Sequence, residues 1–114
     1  MTQILQANLR DAIPATLPEE LASTLTRSNG CRIERIVSGG HASPPGFWYD
    51  QAEDEWVLLF SGSARLELQD PERTVALAPG DWILLPAGCR HRVAATAADT
   101  DTIWLAVFME GKKA

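Results

Sequence analysis

A glutamate and a histidine are the two residues of this chain whose surroundings best suit chemistry. Glu55 stands at the head of an apolar run, and His91 shares one face with Val93 and Ala95 by period-two alternation. His91 is therefore expected to point toward the apolar side, where a buried imidazole needs a partner. A carboxylate and an imidazole together can move a proton or bind a divalent cation.

The segment that leads to His91 predicts a strand, a break and a second strand. Residues 79–81 (Pro-Gly-Asp) form a strong turn signal, and the apolar run at 82–85 is typical of a buried strand. Pro86 and Gly88 interrupt that run, because proline donates no backbone hydrogen bond and glycine permits positive φ. His91 then begins the next strand.

The rest of the chain from Cys31 onward reads as short strands separated by glycine and proline turns. This pattern favours an all-β sandwich or barrel. The expected strands lie at about 32–37, 47–51, 55–61, 63–69, 73–78, 82–85, 90–95 and 102–109.

The first thirty residues differ in character from the remainder. Residues 16–19 (Thr-Leu-Pro-Glu) resemble a capping box with proline in the first turn, and Leu21 and Leu25 follow at helical spacing. This pattern predicts one short helix that ends near residues 28–30. The expected organisation is an N-terminal helical arm at 1–30, a β-barrel at 31–110 and a tail at 111–114.

Composition and charge exclude several classes of function. The chain has 114 residues, enough for one domain, and its formal charge of −5 disfavours nucleic acid and anionic membranes as partners. The N-terminus shows neither a signal peptide nor a transmembrane run, so a cytoplasmic location is expected. Cys31 and Cys89 are then expected to be free thiols.

Two of the expected strands are apolar on both faces, at residues 55–60 and 103–108. An antiparallel strand with one wet face should alternate with polar residues instead. A further element must therefore cover the outer face. We expect the N-terminal helix to cover part of it and a second copy of the chain to cover the rest, which makes the protein a homodimer.

The spacing around His91 resembles a known motif. Gly80, five residues, Pro86, one residue, Gly88, two residues and His91 are similar to the second motif of the cupin superfamily, and Glu55 to Gly62 matches the end of its first. The resemblance covers roughly residues 32–109 and implies a jelly-roll β-barrel in a small single-domain cupin.

The same resemblance implies a divalent metal, such as Fe, Mn, Ni or Zn, held by Glu55, His91 and Gln51. This chain departs from the family pattern, because the two histidines that usually precede the glutamate would fall on Tyr49 and Gln51. Tyr49 or Asp50 is then the candidate for the fourth ligand and for proton transfer. A one-residue bulge would present Trp48 and Asp50 instead.

Two functions of different classes remain open. The first is a metal-dependent enzyme for a small organic molecule, with oxygenation, isomerisation or decarboxylation implied by the resemblance. The second is a metal-free binding or sensing module, in which Glu55 and His91 form a hydrogen-bonded pair. Alternatively, Glu55 could simply be solvated at the rim. In either function we expect a pocket lined by four further residues, Leu59, Trp82, Val93 and Val107.

Overall fold

Eight strands in two antiparallel sheets make up the fold in the computed structural model, which describes residues 3–110. Five strands form the larger sheet, in the order β1-β2-β8-β3-β6, and three form the smaller one, in the order β5-β4-β7. The bounds are β1 Leu21–Ser28, β2 Cys31–Ser38, β3 Glu53–Ser61, β4 Ala64–Leu68, β5 Arg73–Leu77, β6 Trp82–Leu85, β7 His91–Thr96 and β8 Thr102–Glu110. The all-β prediction is confirmed.

The hydrophobic core lies between the two sheets. Alternate residues of β3 and β8 face inward from the larger sheet, and their partners come from β4 and β5 of the smaller one. Buried members of this cluster are Val57, Leu59, Ala64, Leu66, Leu77, Trp104, Ala106 and Phe108. Glu55 belongs to the same inward face of β3 as Val57 and Leu59, so the fold directs this carboxylate into the interior.

The predicted N-terminal helix is wrong, and the described residues contain no helix. Instead β1 pairs antiparallel with β2 through a two-residue turn at Asn29 and Gly30, where Gly30 has a φ of +69°. An Asn-Gly pair between two strands is a hairpin signal. The backbone ladder with β2 therefore outweighs the local capping pattern, because a short isolated helix is only marginally stable.

The expected strand at 47–51 is reduced to a single bridge between Tyr49 and His91. Pro44, Pro45 and Gly46 precede this segment, and they favour an irregular connection over a continuous ladder. The tail at 111–114 lies outside the described residues. No helix among residues 3–110 is long and apolar enough to cross a membrane.

The N-terminal segment covers part of the outer face of the larger sheet, although it does so without a helix. Arg35 on β2 is only 7 % exposed, and its guanidinium donates to the backbone carbonyls of Leu9 and Asp11. Toward the β6 edge the same sheet leaves three large apolar side chains exposed, namely Phe60, Trp82 and Leu84. The coverage of the apolar outer face is therefore incomplete.

Gly62 follows the bulged end of β3 and packs directly against β8. A Cβ atom there would lie 2.4 Å from the Thr102 hydroxyl and 2.7 Å from its Cα, and the φ of +91° disfavours any other residue. We expect Gly62→Ala to lower the free energy of unfolding by about 2–4 kcal/mol.

Gly80 provides the matched control for this substitution. It has a similar φ of +95°, yet nothing lies within 4 Å of the position that a Cβ atom would take, so Gly80→Ala introduces backbone strain alone. Urea unfolding of both variants measures the difference, and equal losses would show that the close approach to Thr102 is not a constraint.

Candidate functional site

A cavity of about 210 Å³ opens between the two sheets on the side where Glu55 and His91 lie. Its walls are mainly apolar and aromatic, with contributions from Val57, Leu66, Trp104 and Phe108. Six side chains with polar or ionisable groups also line it: Glu20, Glu34, Tyr49, Gln51, Glu55 and His91. A small set of polar groups in an apolar cavity is the usual composition of a small-molecule site.

Glu55 and His91 meet across this cavity from opposite sheets. Glu55 lies on β3, which pairs with β6 and β8, while His91 begins β7 beside β4. The Nε2 atom of His91 is 3.5 Å from Oε1 of Glu55, and the Gln51 amide donates to the same oxygen over 3.4 Å. Both residues of the pair are buried, at 8 % and 6 % exposure. The contacts are long enough to admit a ligand without breaking strong hydrogen bonds.

The backbone around His91 fixes the position of Tyr49 and Gln51. The N–H of Tyr49 donates to the His91 carbonyl over 2.7 Å, and the His91 N–H donates back to the Tyr49 carbonyl over 3.1 Å. The Gly88 N–H donates to the Gln51 carbonyl over 2.8 Å. These bonds hold the segment before β3 against the turn before β7, so four polar side chains converge although their strands belong to different sheets.

The imidazole of His91 is oriented by a second set of contacts. Its Nδ1 lies 3.0 Å from the Cys89 carbonyl, and because a carbonyl only accepts, Nδ1 carries the proton in this contact. Nε2 therefore faces Glu55 as an acceptor when the ring is neutral. The Tyr49 ring stacks on the imidazole with a centroid separation of 5.3 Å.

The pKa of His91 is set by opposing effects. Burial lowers it, but hydrogen bonds to Glu55 and to the Cys89 carbonyl, together with the charge of Glu55, raise it by more. The net result is a His91 pKa above the ordinary value of 6.5. This histidine is consequently poised to gain and lose a proton near neutral pH.

Tyr49 experiences the same negative surroundings. Burial raises the pKa of its phenol, and the charges of Glu20 and Glu55 raise it further. Tyr49 therefore stays protonated at neutral pH, as a hydrogen-bond donor rather than a phenolate.

The structure brings some of the sequence-predicted site residues together and separates others. Tyr49, Gln51, Glu55, His91 and Val93 all line the cavity. Asp50 is exposed, since its side chain alternates away from those of Tyr49 and Gln51. Leu59 lies fully buried in the core, Trp82 is 61 % exposed on the outer face, and Val107 alternates with the inward-facing Phe108. None of these last four residues lines the cavity.

Sequence reasoning missed Glu20, Glu34 and Trp104 as lining residues. The sequence pattern could have identified Glu34 and Trp104, because they alternate with outward-facing residues on β2 and β8. Glu20 had no such signal. It precedes the strand that was expected to be a helix, and it reaches the cavity because β1 pairs with β2, where its carboxylate accepts a hydrogen bond from Ser38.

Two antiparallel sheets around an interior site with an inward glutamate and histidine define a small single-domain jelly-roll barrel. The family model described as "Cupin domain" matches residues 33–108. The chain therefore belongs to the cupin family.

Solved structures agree with this assignment. One crystal structure shows a protein from Ralstonia eutropha JMP134 that is described provisionally as a mannose-6-phosphate isomerase. Its sequence is 45 % identical to this chain, the two folds superpose with a TM-score of 0.90, and the match covers 95 % of this chain and 100 % of the other. A conserved protein of unknown function from Streptococcus pyogenes is 19 % identical, with a TM-score of 0.74 and coverages of 99 % and 93 %.

A cupin superfamily protein from Desulfitobacterium hafniense DCB-2 is 18 % identical, with a TM-score of 0.69 and coverages of 85 % and 83 %. The second and third structures share the fold alone with this chain. No curated protein matches the chain significantly.

The described residues offer a divalent metal two strong donors and one weak one. No group of three histidine, cysteine, aspartate or glutamate side chains that could hold a metal occurs among residues 3–110. Glu55 and His91 are two strong donors, whereas the Gln51 amide is neutral and Tyr49 keeps its proton. Two strong ligands do not complete the three- or four-donor sets of protein metal centres.

We predict that the charge of Glu55 controls the titration of His91. Glutamine at position 55 carries no charge, so the contribution of Glu55 that raises the His91 pKa is lost, and burial, which lowers this pKa, becomes the largest remaining effect. Glu55→Gln should therefore lower the His91 pKa in chelator-treated protein. Proton NMR titration of the imidazole measures this shift, with the exposed Glu72→Gln as the control.

Stability should follow the same titration. A histidine whose pKa is raised by folding stabilises the protein fully below its unfolded pKa, and that contribution is lost as the pH rises through the folded value. The His91 contribution should therefore decline as the pH rises above 6.5. A His91 pKa that is unchanged in Glu55→Gln would contradict this account of the pair.

Proposed function

We propose that this cupin binds a small organic molecule in the barrel cavity, with Glu55 and His91 as its polar anchors. One observation carries the proposal: two nine-tenths-buried ionisable side chains face each other at 3.5 Å in the wall of an otherwise apolar cavity. Burying such groups is costly unless they are paired or used. A ligand with a hydrogen-bonding group would satisfy both of them.

The same pair supports acid–base chemistry of the isomerase type. Neutral His91 can accept a proton at Nε2 while Nδ1–H stays bonded to the Cys89 carbonyl, and Glu55 stabilises the resulting imidazolium. Returning that proton to a neighbouring position of the ligand would complete an isomerisation. The provisional isomerase description of the 45 % identical relative is consistent with this class of reaction.

A divalent metal at the same pair is the second candidate. It is favoured by the Nδ1 contact of His91 with the Cys89 carbonyl, because metal-binding histidines commonly present one nitrogen while the other donates to the backbone. Glu55, His91 and Gln51 would be the donors. A melting temperature that falls on chelation, and that zinc restores in His41→Ala but not in His91→Ala, would favour this candidate over the metal-free site.

The test of the proposed function is a fragment titration followed by amide NMR of the full-length protein. Bound fragments should shift the amide signals of Tyr49, Gln51 and Val93, which belong to the cavity wall. In His91→Gln, hydrogen-bonding fragments should bind about ten-fold more weakly, since one charge-assisted hydrogen bond contributes roughly 1.5–3 kcal/mol.

His41→Gln is the matched control, because this half-buried histidine lies outside the cavity and its Nδ1 accepts from the Gly39 N–H. Fragments whose shifts fall only on residues away from the cavity would contradict the proposal. If both histidine variants weaken fragment binding equally, His91 is not a specific anchor of the ligand.

We also propose that the chain forms a homodimer through the outer face of the larger sheet. The proposed contact, here called the β3–β6 patch, consists of Trp56, Phe60, Trp82 and Leu84. Trp56 and Leu84 are register partners, and the rings of Trp56 and Trp82 lie 5.9 Å apart. Since β6 is an edge strand, its free backbone groups adjoin this patch, and a second copy related by a two-fold axis would cover both.

Trp82→Glu should convert the dimer into a monomer, because it places a charge in the middle of the patch. Leu25→Glu is the control, since Leu25 is also exposed but lies on β1 at the opposite edge of the sheet. Light scattering at micromolar concentration gives the mass of each protein. A monomeric parent protein would contradict the proposed dimer.

A further inference from the structure

The charged groups that line the cavity are almost all of one sign. Three carboxylates, Glu20, Glu34 and Glu55, lie in its wall, and no lysine or arginine among residues 3–110 does. His91 is the single group there that can become positive, and it already faces Glu55. The three carboxylates would repel an anionic ligand, and the His91 imidazole alone could offset that repulsion.

The neighbouring arginine does not reverse this balance. Arg32 lies over the Phe108 ring at 4.2 Å, and its guanidinium is shared between Glu34 and Glu53, with 2.8 Å from Nε to the Glu34 carboxylate. Hydrogen bonds to these two carboxylates raise the pKa of Arg32. Its positive charge is thus matched by two negative ones, and Glu20 and Glu55 remain without an arginine or lysine partner in the described structure.

A depression next to the cavity has the same character. It shares Glu20, Tyr49 and Val93 with the cavity, and Glu19 and His41 also line it. Among the described residues it too contains no lysine or arginine. Glu19 and Glu20 therefore add to the negative charge beside the cavity.

Aromatic rings supply the other half of the surroundings. Tyr49, Trp104 and Phe108 line the cavity, and the π-face of an aromatic ring attracts a cation. One face of Phe108 already carries the Arg32 guanidinium and one face of Tyr49 stacks on His91, whereas no described cation or ring covers Trp104. The raised pKa of Tyr49, which reflects burial first and then the charges of Glu20 and Glu55, agrees with a negative potential there. Aromatic faces beside carboxylates are the surroundings that an organic ammonium group prefers.

We propose that the ligand of this cavity is a small organic cation, an amine or quaternary ammonium compound, and that phosphorylated molecules are excluded. This inference rests on the proposed ligand-binding function. It also argues against a sugar phosphate as the substrate. A phosphate in this cavity would lie among carboxylates, and no guanidinium or ammonium group of the described residues lines the cavity to bind it.

Three probes of nearly equal shape test the role of charge. The first is choline. The second is the neutral alcohol in which a quaternary carbon replaces the nitrogen of choline, and the third is the tert-butylacetate anion. Each is titrated into the full-length protein while the amide signals of the cavity wall are followed. We expect choline to bind about ten-fold or more tightly than the neutral isostere, and tert-butylacetate to bind most weakly.

A charge-removing variant localises the effect. Glu20→Gln keeps an oxygen that can accept from Ser38 but removes one negative charge, so the affinity for choline should fall about three-fold or more while that for the neutral isostere stays unchanged. Glu72→Gln, which removes a carboxylate that does not line the cavity, should change neither affinity.

The outcomes separate the inference from the function on which it rests. If the neutral isostere binds in the cavity as tightly as choline, or tert-butylacetate binds more tightly, the inference is overturned while the ligand-binding function stands. If none of the three shifts the cavity signals, the inference is overturned as well, and the fragment titration alone then decides the proposed function.

Discussion

The pairing of Tyr49 with His91 is the interaction on which the site depends. Two reciprocal backbone hydrogen bonds join these residues, and the Gly88 N–H adds a third bond to the Gln51 carbonyl. Since β3 and β7 belong to different sheets, nothing in the sheet ladders alone would bring Glu55 toward His91. The irregular segment before β3 closes the barrel at this point, beside the cavity that Tyr49, Gln51 and His91 line.

The burial of the Glu55–His91 pair distinguishes this part of the barrel from the rest of the core. The core cluster between the sheets holds aliphatic and aromatic side chains, and its one polar group, the Trp104 indole N–H, donates to the Ser38 hydroxyl. At Glu55 and His91 the fold instead retains two ionisable groups in an apolar wall, at long hydrogen-bonding distance. Such groups lower stability relative to a packed hydrophobic core, so their presence points to use of the site. The surrounding carboxylates then determine which ligand charge is tolerated.

Short strands between glycine and proline turns predicted the all-β fold, and period-two alternation placed His91 on an inward face. Glu55 was chosen because its spacing to Gly62 resembles the first cupin motif. Prediction failed at the N-terminus, where a capping pattern suggested a helix, although Asn29 and Gly30 form the turn of a β-hairpin. Glu20 was missed for the same reason, and Trp82 was misplaced because an apolar run does not reveal which of its faces is buried. The cytoplasmic location and the homodimer stay predictions, since neither follows from the geometry of one chain.

A crystal structure of the full-length protein, purified without harsh treatment and soaked with choline, would test the central claim most directly. The account predicts an organic ligand between the two sheets that contacts the Glu55 carboxylate or Nε2 of His91, with its cationic group near Tyr49 or Trp104. A cavity that holds ordered water alone at saturating choline, with Glu55 and His91 bonded only to each other, would contradict it.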